Sequence, residues 1–186
     1  EIEPNLSSAI ASVRDLADLV VVQLHSGIEY ESDPGTLTGF TEEPPFDAVG
    51  VIPGGPEIRF RTRPSYTDRQ LRWRAVEAGA NLVICHHPHV LQGFEVYNDV
   101  LIAHSLGNFV FDQSFAETFS SVILYSELDK IGFRSFTFRP AFIDDMIPGL
   151  ATGRLGREIL DRMADYSREL DTVVGVDPDA MEAVLE

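Results

Sequence analysis

The apolar residues near the start of the chain follow two different spacings, which predict a helix and then a strand. Leu6, Ile10 and Val13 recur at helical spacing, so residues 6–17 are predicted to form an amphipathic helix. Residues 19–24 are rich in β-branched side chains and do not alternate with polar ones, which is typical of a parallel strand buried on both faces. The pattern favours a helix packed beside a parallel sheet.

A second helix and strand follow farther along the chain. Thr67 and Gln70 have the spacing of a capping box, which predicts that a helix begins there and ends near Gly79. Residues 81–86 then predict a second buried strand, and the repeated order of helix and strand favours an α/β fold. Between these two units, residues 32–64 are rich in proline and glycine, which is typical of a lid or an insertion.

The second half of the chain predicts short strands followed by helices. The predicted elements are strands 94–97, 100–104, 119–128 and 133–143 and helices 152–170 and 178–185. The two longer strands are expected to pair antiparallel around a turn at 129–132.

The charge balance narrows the range of partners. The chain has 186 residues, a net charge of -16 and 44% hydrophobic residues, and only Lys130 of its 14 basic residues is a lysine. Such a surface argues against nucleic acid and anionic membranes as partners, because both are bound through basic patches. A halophilic protein and an ordinary acidic, arginine-rich protein both fit this composition. No apolar stretch is long enough to predict a membrane span.

Histidines are concentrated where two predicted strands end. The run from Cys85 to His89 contains three imidazoles, and His25 follows the first strand. Because parallel strands end at the same edge of a sheet, we expect His25, His87 and His89 to lie close together. Three imidazoles from two such turns suit Zn, Mn or Fe. His86 is expected to point away from this site, because strand neighbours alternate between faces.

Other polar residues leave two interpretations open. His104 favours core packing over catalysis, and Asn108 either completes a turn or bonds near the histidines. Cys85 fits a small buried residue better than a metal ligand. An arginine stripe could attract an anionic substrate or simply balance nearby acidic groups. The stripe consists of Arg59, Arg61 and Arg63.

Three motifs together indicate a family. They are His25-Ser26-Gly27-Ile28-Glu29-Tyr30, His87-Pro88-His89-Val90-Leu91-Gln92 and Ser105-Leu106-Gly107-Asn108-Phe109-Val110-Phe111. With these motifs the chain resembles the capsule synthesis (CapA, poly-γ-glutamate synthesis) family, which is similar to the calcineurin-like metallophosphatases. The resemblance implies the C-terminal half of a four-layer α/β/β/α sandwich. It would comprise residues 1–170, with an insertion at about 31–62 and a helical tail over 171–186.

The resemblance also implies a chemistry. His25, His87 and His89 would be metal ligands. Glu29 and Asn108 would contact these ligands, not the metal, and orient them. The complete domain would hold two divalent ions (Mn, Fe or Zn), with the carboxylate ligands in a preceding segment. The implied protein is a metal-dependent hydrolase of poly-γ-glutamate or cell-surface polymer metabolism, inactive as this fragment. Its substrate would be an anionic polymer or a phosphoryl group.

Two rival interpretations accompany this one. The chain could be a non-catalytic module that binds an anionic polymer or a capsule synthase membrane complex, at the cell envelope. A single structural Zn held by the histidines is a third interpretation.

Overall fold

The computed structural model describes residues 2–27, 48–51 and 57–185, which form three helices and eleven strands. In chain order the elements are α1 (Ile2–Arg14), β1 (Val21–His25), β2 (Ala48–Val51), β3 (Glu57–Phe60), α2 (Tyr66–Glu77), β4 (Leu82–His86), β5 (Phe94–Tyr97), β6 (Val100–Ala103), β7 (Ser120–Leu128), β8 (Phe133–Asp144), β9 (Ile147–Leu150), α3 (Gly153–Arg168), β10 (Val174–Asp177) and β11 (Glu182–Leu185). A short 3-10 helix at Ala116–Thr118 precedes β7.

The first sheet is largely parallel and has the strand order β1-β4-β6-β5. Strands β1, β4 and β6 run parallel, and β5 pairs antiparallel with β6 across a tight turn at Asn98 and Asp99. One face packs on α1 and α2 through a cluster that includes Ile10, Val22 and Val83. The predicted order of helix, strand, helix and strand is thus confirmed.

The second sheet has the order β10-β11-β8-β7, with β9 paired to β8. Its inner face meets the other face of the first sheet, where the rings of Phe94 and Phe138 lie 4.3 Å apart. Helix α3 covers the rest of that inner face, because its apolar stripe buries Ile159, Leu160 and Met163 completely. The predicted antiparallel pair of long strands and the helix after it are confirmed.

The described residues confirm the α/β class and form three layers of the expected sandwich. These layers are the α1–α2 pair, the first sheet and the second sheet. The outer face of the second sheet carries Tyr125, Arg139 and Val184, all of which are well exposed. In the described part of the chain, no helix extends far enough with apolar residues to cross a membrane.

The end of the chain corrects one prediction. Residues 174–185 form a β-hairpin and not a helix, because Asp177 Oδ1 accepts hydrogen bonds from the backbone of Asp179 and Ala180 and turns the chain back. Ala183 pairs with Phe138 in β8 and is fully buried. The tail is therefore part of the main core.

Two local predictions are also wrong. Helix α2 is capped by Ser65, whose Oγ accepts from the backbone N–H of Asp68 at 3.1 Å, and not by Thr67. Strand β1 is buried on one face only, since Val21 keeps 47% of its surface exposed while Val22 is buried. The expected insertion at 31–62 lies mostly outside the described residues, which include the β2–β3 hairpin from it.

Candidate functional site

The first sheet brings four histidines to one edge. Strands β1 and β4 are in register, so that His25 pairs with His86 at the end of both strands. The next turn places the ring of His87 4.5 Å from that of His25 and 6.2 Å from that of His89. The sequence prediction that these three side chains lie together agrees with this geometry.

The turn after β4 has an unusual backbone. His87 has a φ of 111° and His89 a φ of 61°, both in the left-handed region that favours glycine. The strand alternation stops at this point, so His86 and His87 do not point to opposite faces. His86 shares a cavity with His25, His87 and His89. The prediction that His86 points away is therefore wrong.

Asn108 orients one of the imidazoles. Its Oδ1 accepts a hydrogen bond from Nδ1 of His89 at 2.7 Å, while its Nδ2 donates to Oε1 of Gln113 at 2.9 Å. With Nδ2 bonded to Gln113, the amide oxygen of Asn108 faces His89. Nδ1 of His89 consequently carries the proton, and the lone pair of the ring lies on Nε2.

The histidines line the mouth of a cavity of about 560 Å³ between the two sheets. Its walls are mainly apolar and come from Leu82, Ile84, Leu106, Val122 and Leu124. Phe109, Val110 and Phe111 lie at the rim and are exposed, and the ring of Phe111 is 4.7 Å from that of His89. A ligand at this mouth would meet imidazoles on one side and apolar surface on the other.

The protonation of two neighbouring groups follows from their surroundings. Partial burial, together with the nearby His25, lowers the pKa of His86, which favours the neutral imidazole. Burial raises the pKa of Cys85 to about 11, and its side chain packs in the α1–α2 cluster on the other face of β4. Cys85 is therefore a protonated core thiol, as the sequence analysis favoured.

The described side chains at this site offer the type of ligand that divalent transition metals bind, but too few of them for a metal site. Imidazole nitrogen is a common ligand of Zn, Mn and Fe. Within residues 2–27, 48–51 and 57–185, however, no three His, Cys, Asp or Glu side chains form a group that could hold a metal ion. Glu29, predicted to support the ligands, lies outside the described residues. Any complete metal centre needs ligands beyond those described.

The two described side chains of the arginine stripe, Arg61 and Arg63, do not share an exposed patch. Arg61 is buried, and its carbonyl oxygen accepts from Gln92. Arg63 forms an ion pair with Glu169 at 2.6 Å. The side chain of Arg59 lies outside the described part. The pairing of Arg63 favours the interpretation in which these arginines balance acidic groups.

Sequence reasoning missed a buried polar network behind the histidines. Arg72 of α2 is completely buried and bonds to His104, which in turn bonds to Glu95 at 2.8 Å. A signal existed, because Arg72 precedes Ala75 and Val76 by three and four residues and so shares the core-facing side of the helix.

Fold and site together define an α/β protein with an imidazole cluster at the strand ends of a largely parallel sheet. The model of the family described as "Bacterial capsule synthesis protein PGA_cap" matches residues 57–113. PGA biosynthesis protein CapA of Bacillus subtilis (strain 168) is 34% identical over 139 residues, which is 75% of this chain and 29% of that protein. The chain belongs to this capsule synthesis family.

Two further relatives are similar to the chain. Capsule biosynthesis protein CapA of Bacillus anthracis is 33% identical over 141 residues, 76% of this chain and 27% of that protein. The uncharacterized protein y4sH of Sinorhizobium fredii (strain NBRC 101917 / NGR234) is 31% identical over 102 residues, 55% of this chain and 19% of that protein. The chain spans less than a third of the length of each of these relatives.

Proposed function

We propose that this chain supplies the imidazole side of a metal-dependent, hydrolase-like site in the biosynthesis of poly-γ-glutamate or another anionic cell-surface polymer. The observation that carries the proposal is the grouping of His25, His87 and His89 at one cavity mouth, with the ring of His89 oriented by Asn108. The names of the two CapA relatives, which refer to PGA and capsule biosynthesis, support the biological role.

The residues present suggest a division of tasks. His25, His87 and His89 would hold one or two divalent ions (Mn, Fe or Zn) together with ligands outside the described residues. A divalent metal ion supplies Lewis-acid polarisation of a phosphoryl or carbonyl group when bound. Asn108 fixes the orientation of the His89 ring by accepting a hydrogen bond from its Nδ1. The apolar walls of the cavity limit water access on the side away from the imidazoles.

Cobalt titration tests the metal part of the proposal. We expect Co²⁺ to bind the chain with a visible absorption spectrum, and His87→Ala and His89→Ala each to weaken binding at least about tenfold. Glu158→Gln is the control, since Glu158 lies on the surface of α3 in an ion pair with Arg154. Binding that is unchanged in both histidine variants would contradict the proposed ligands.

Hydrolysis assays test the reaction. The 186-residue chain is expected to show little or no hydrolysis of phosphate esters or poly-γ-glutamate, because the described residues lack a complete ligand set. A protein that comprises the full length of the relatives is expected to be active with Mn²⁺ or Zn²⁺. Equal inactivity of that longer protein would overturn the hydrolase assignment.

A non-catalytic module is the second candidate function. It is favoured by the donor set, which among the described residues consists of imidazoles only, and by the exposed apolar rim at Phe109–Phe111. Such a module would bind an anionic polymer or a synthase complex at the cell envelope. Binding of poly-γ-glutamate to the metal-free chain, in a gel-shift or calorimetric assay, would favour this candidate. Binding that requires metal would favour the hydrolase.

A further inference from the structure

A buried arginine, Arg72, lies outside the histidine cluster. Arg72 belongs to α2 and is completely shielded from solvent beside Ala75 and Val76. A guanidinium remains charged in proteins, so its burial is costly unless hydrogen bonds and a counter-charge compensate it. A methionine or leucine would fill the same space without this cost. The position of Arg72 therefore calls for an explanation other than packing.

The partners of Arg72 define a directed chain of hydrogen bonds. A guanidinium can only donate, so Nη1 of Arg72 donates to Nδ1 of His104. His104 must then carry its proton on Nε2, which donates to Oε2 of Glu95 at 2.8 Å. Complete burial lowers the pKa of His104 to about 4, although Glu95 opposes this effect. His104 is consequently a neutral link between a cation and an anion.

Glu95 anchors the other end of this chain. Its carboxylate accepts from Nη2 of Arg69 at 2.7 Å, from Nε of Arg69 at 3.2 Å and from Nε1 of Trp73 at 2.9 Å. Burial by itself raises the pKa of Glu95, but the bonds from His104 and Arg69 outweigh it and lower the pKa to about 2. The network thus joins α2 to β5 and to His104, directly after β6, through a fully ionised carboxylate.

The network reaches the histidine site through the backbone of one residue, Ser26. Nη2 of Arg72 donates to the carbonyl oxygen of Ser26 at 3.3 Å. The backbone N–H of Ser26 donates to the carbonyl oxygen of His86 at 3.1 Å. Ser26 directly follows His25, so the backbone next to this imidazole is held from both sides. Within the described ranges, Nε of Arg72 has no hydrogen-bond partner. The buried guanidinium therefore is not fully hydrogen-bonded even with its bond to Ser26.

The neighbouring glycine connects both histidine turns to Arg72. Gly27 has a φ of 122°, and a Cβ atom placed there would lie 3.4 Å from Cγ of Pro88 and 3.7 Å from Nη2 of Arg72. Pro88 separates His87 from His89 in the chain. The turn that follows His25 is therefore packed between the guanidinium and the His87–His89 turn.

We infer that Arg72 is a positioning residue, which holds the turn after His25 against the His87–His89 turn, and that His104 and Glu95 hold its guanidinium in place. The inference rests on the proposed function, because that proposal assigns a task to His25. It adds a group that touches neither metal nor substrate and acts through the backbone at Ser26.

Amide hydrogen exchange and Co²⁺ titration on the 186-residue chain test this inference together. In Arg72→Met we expect the Ser26 amide to exchange at least tenfold faster, while the Val83 amide in the middle of β4 serves as the internal control. We expect Co²⁺ binding to weaken at least tenfold in the same variant. Arg72→Lys, which retains a donor and a charge, is expected to recover part of both losses.

Two variants of His104 provide a matched pair if Arg72→Met does not fold. Asn places an amide oxygen near the position of Nδ1 and keeps an acceptor for Arg72, whereas Gln reaches Glu95 and leaves Arg72 without one. His104→Gln should therefore accelerate Ser26 exchange more than His104→Asn does. Equal exchange in the two His104 variants, or unchanged exchange in a folded Arg72→Met, would overturn the inference.

Amide exchange and Co²⁺ binding together distinguish a failure of the positioning role from a failure of the proposed metal function. If the unmodified chain binds no Co²⁺ but Arg72→Met still accelerates Ser26 exchange, the positioning role stands and the proposed metal function fails. If Co²⁺ binds and the Arg72 variants leave both readouts unchanged, the positioning role fails and the metal function stands.

Discussion

Nδ1 of His89 donates to Oδ1 of Asn108 at 2.7 Å, and this bond joins two motifs that are 19 residues apart in the chain. The ring of His89 thereby has one orientation and one tautomer. Because Asn108 is itself held by Gln113, the orientation is set before any ligand arrives. The bond makes Asn108 the residue whose replacement tests the site with the least disturbance of the ligands.

Asn108→Ala is expected to weaken Co²⁺ binding by about 10- to 100-fold, because His89 loses the acceptor that fixes its ring. Cobalt absorbance titration measures the effect. Asn108→Asp keeps an acceptor and should bind within a few-fold of the original chain. If the alanine variant binds as tightly as the original chain, Asn108 has no orienting role.

His87→Gly is expected to be more stable than His87→Ala by about 1 kcal/mol or more, since only glycine adopts a φ of 111° without strain. Urea unfolding measures the difference. Ala9→Gly on the exposed side of α1 is the control and should lower stability by about 1 kcal/mol. A His87→Gly variant less stable than His87→Ala would show that the backbone at His87 is not strained.

Acidification is expected to destabilise the fold in two steps. His104 has a pKa of about 4 when folded and 6.5 as its ordinary value, so the unfolded chain binds more protons between these limits and stability falls as the pH drops through them. The loss is roughly 3 kcal/mol. Glu95, with its pKa lowered from 4.5 to about 2, adds a further loss below pH 4.5.

Urea unfolding at a series of pH values measures this dependence. His104→Asn removes the imidazole and should flatten the curve between pH 6.5 and 4. It should also reduce the loss below pH 4.5, because Glu95 no longer receives the hydrogen bond from His104 that helps to lower its pKa. An equal slope in His104→Asn and the original chain would exclude His104 as the source of the acid sensitivity.

Ala183→Asp is expected to cost several kcal/mol, because Ala183 is fully buried opposite Phe138. Val184→Asp, one residue farther on the exposed face of β11, should change stability by less than about 1 kcal/mol. Thermal unfolding of the two variants measures the contrast. Similar small effects of both would mean that the tail does not belong to the core.

The hydrophobic pattern predicted the elements whose periodicity is long and clear. Helix α3 and the β7–β8 pair lie where the sequence placed them, because their apolar stripes are each satisfied by a single neighbouring layer. The hairpin at Val174–Leu185 was missed, because Met181, Glu182 and Ala183 also suit a helix. The segment is a strand because Ala183 pairs with β8. This long-range pairing cannot be read from the local preferences of the residues.

The sequence by itself determined the α/β class, the family motifs and the grouping of His25, His87 and His89, since parallel strands that end in histidine must meet at one sheet edge. Tertiary structure decided the rest of the site. His86 lines the cavity on the same side of β4 as Leu82 and Ile84, and the left-handed turn at His87 places the next imidazole in that cavity as well. Arg72, His104 and Glu95 form one buried network, which the sequence alone did not predict. Arg72 lies on α2, Glu95 on β5 and His104 directly after β6, so they become partners only when the helix packs on the sheet.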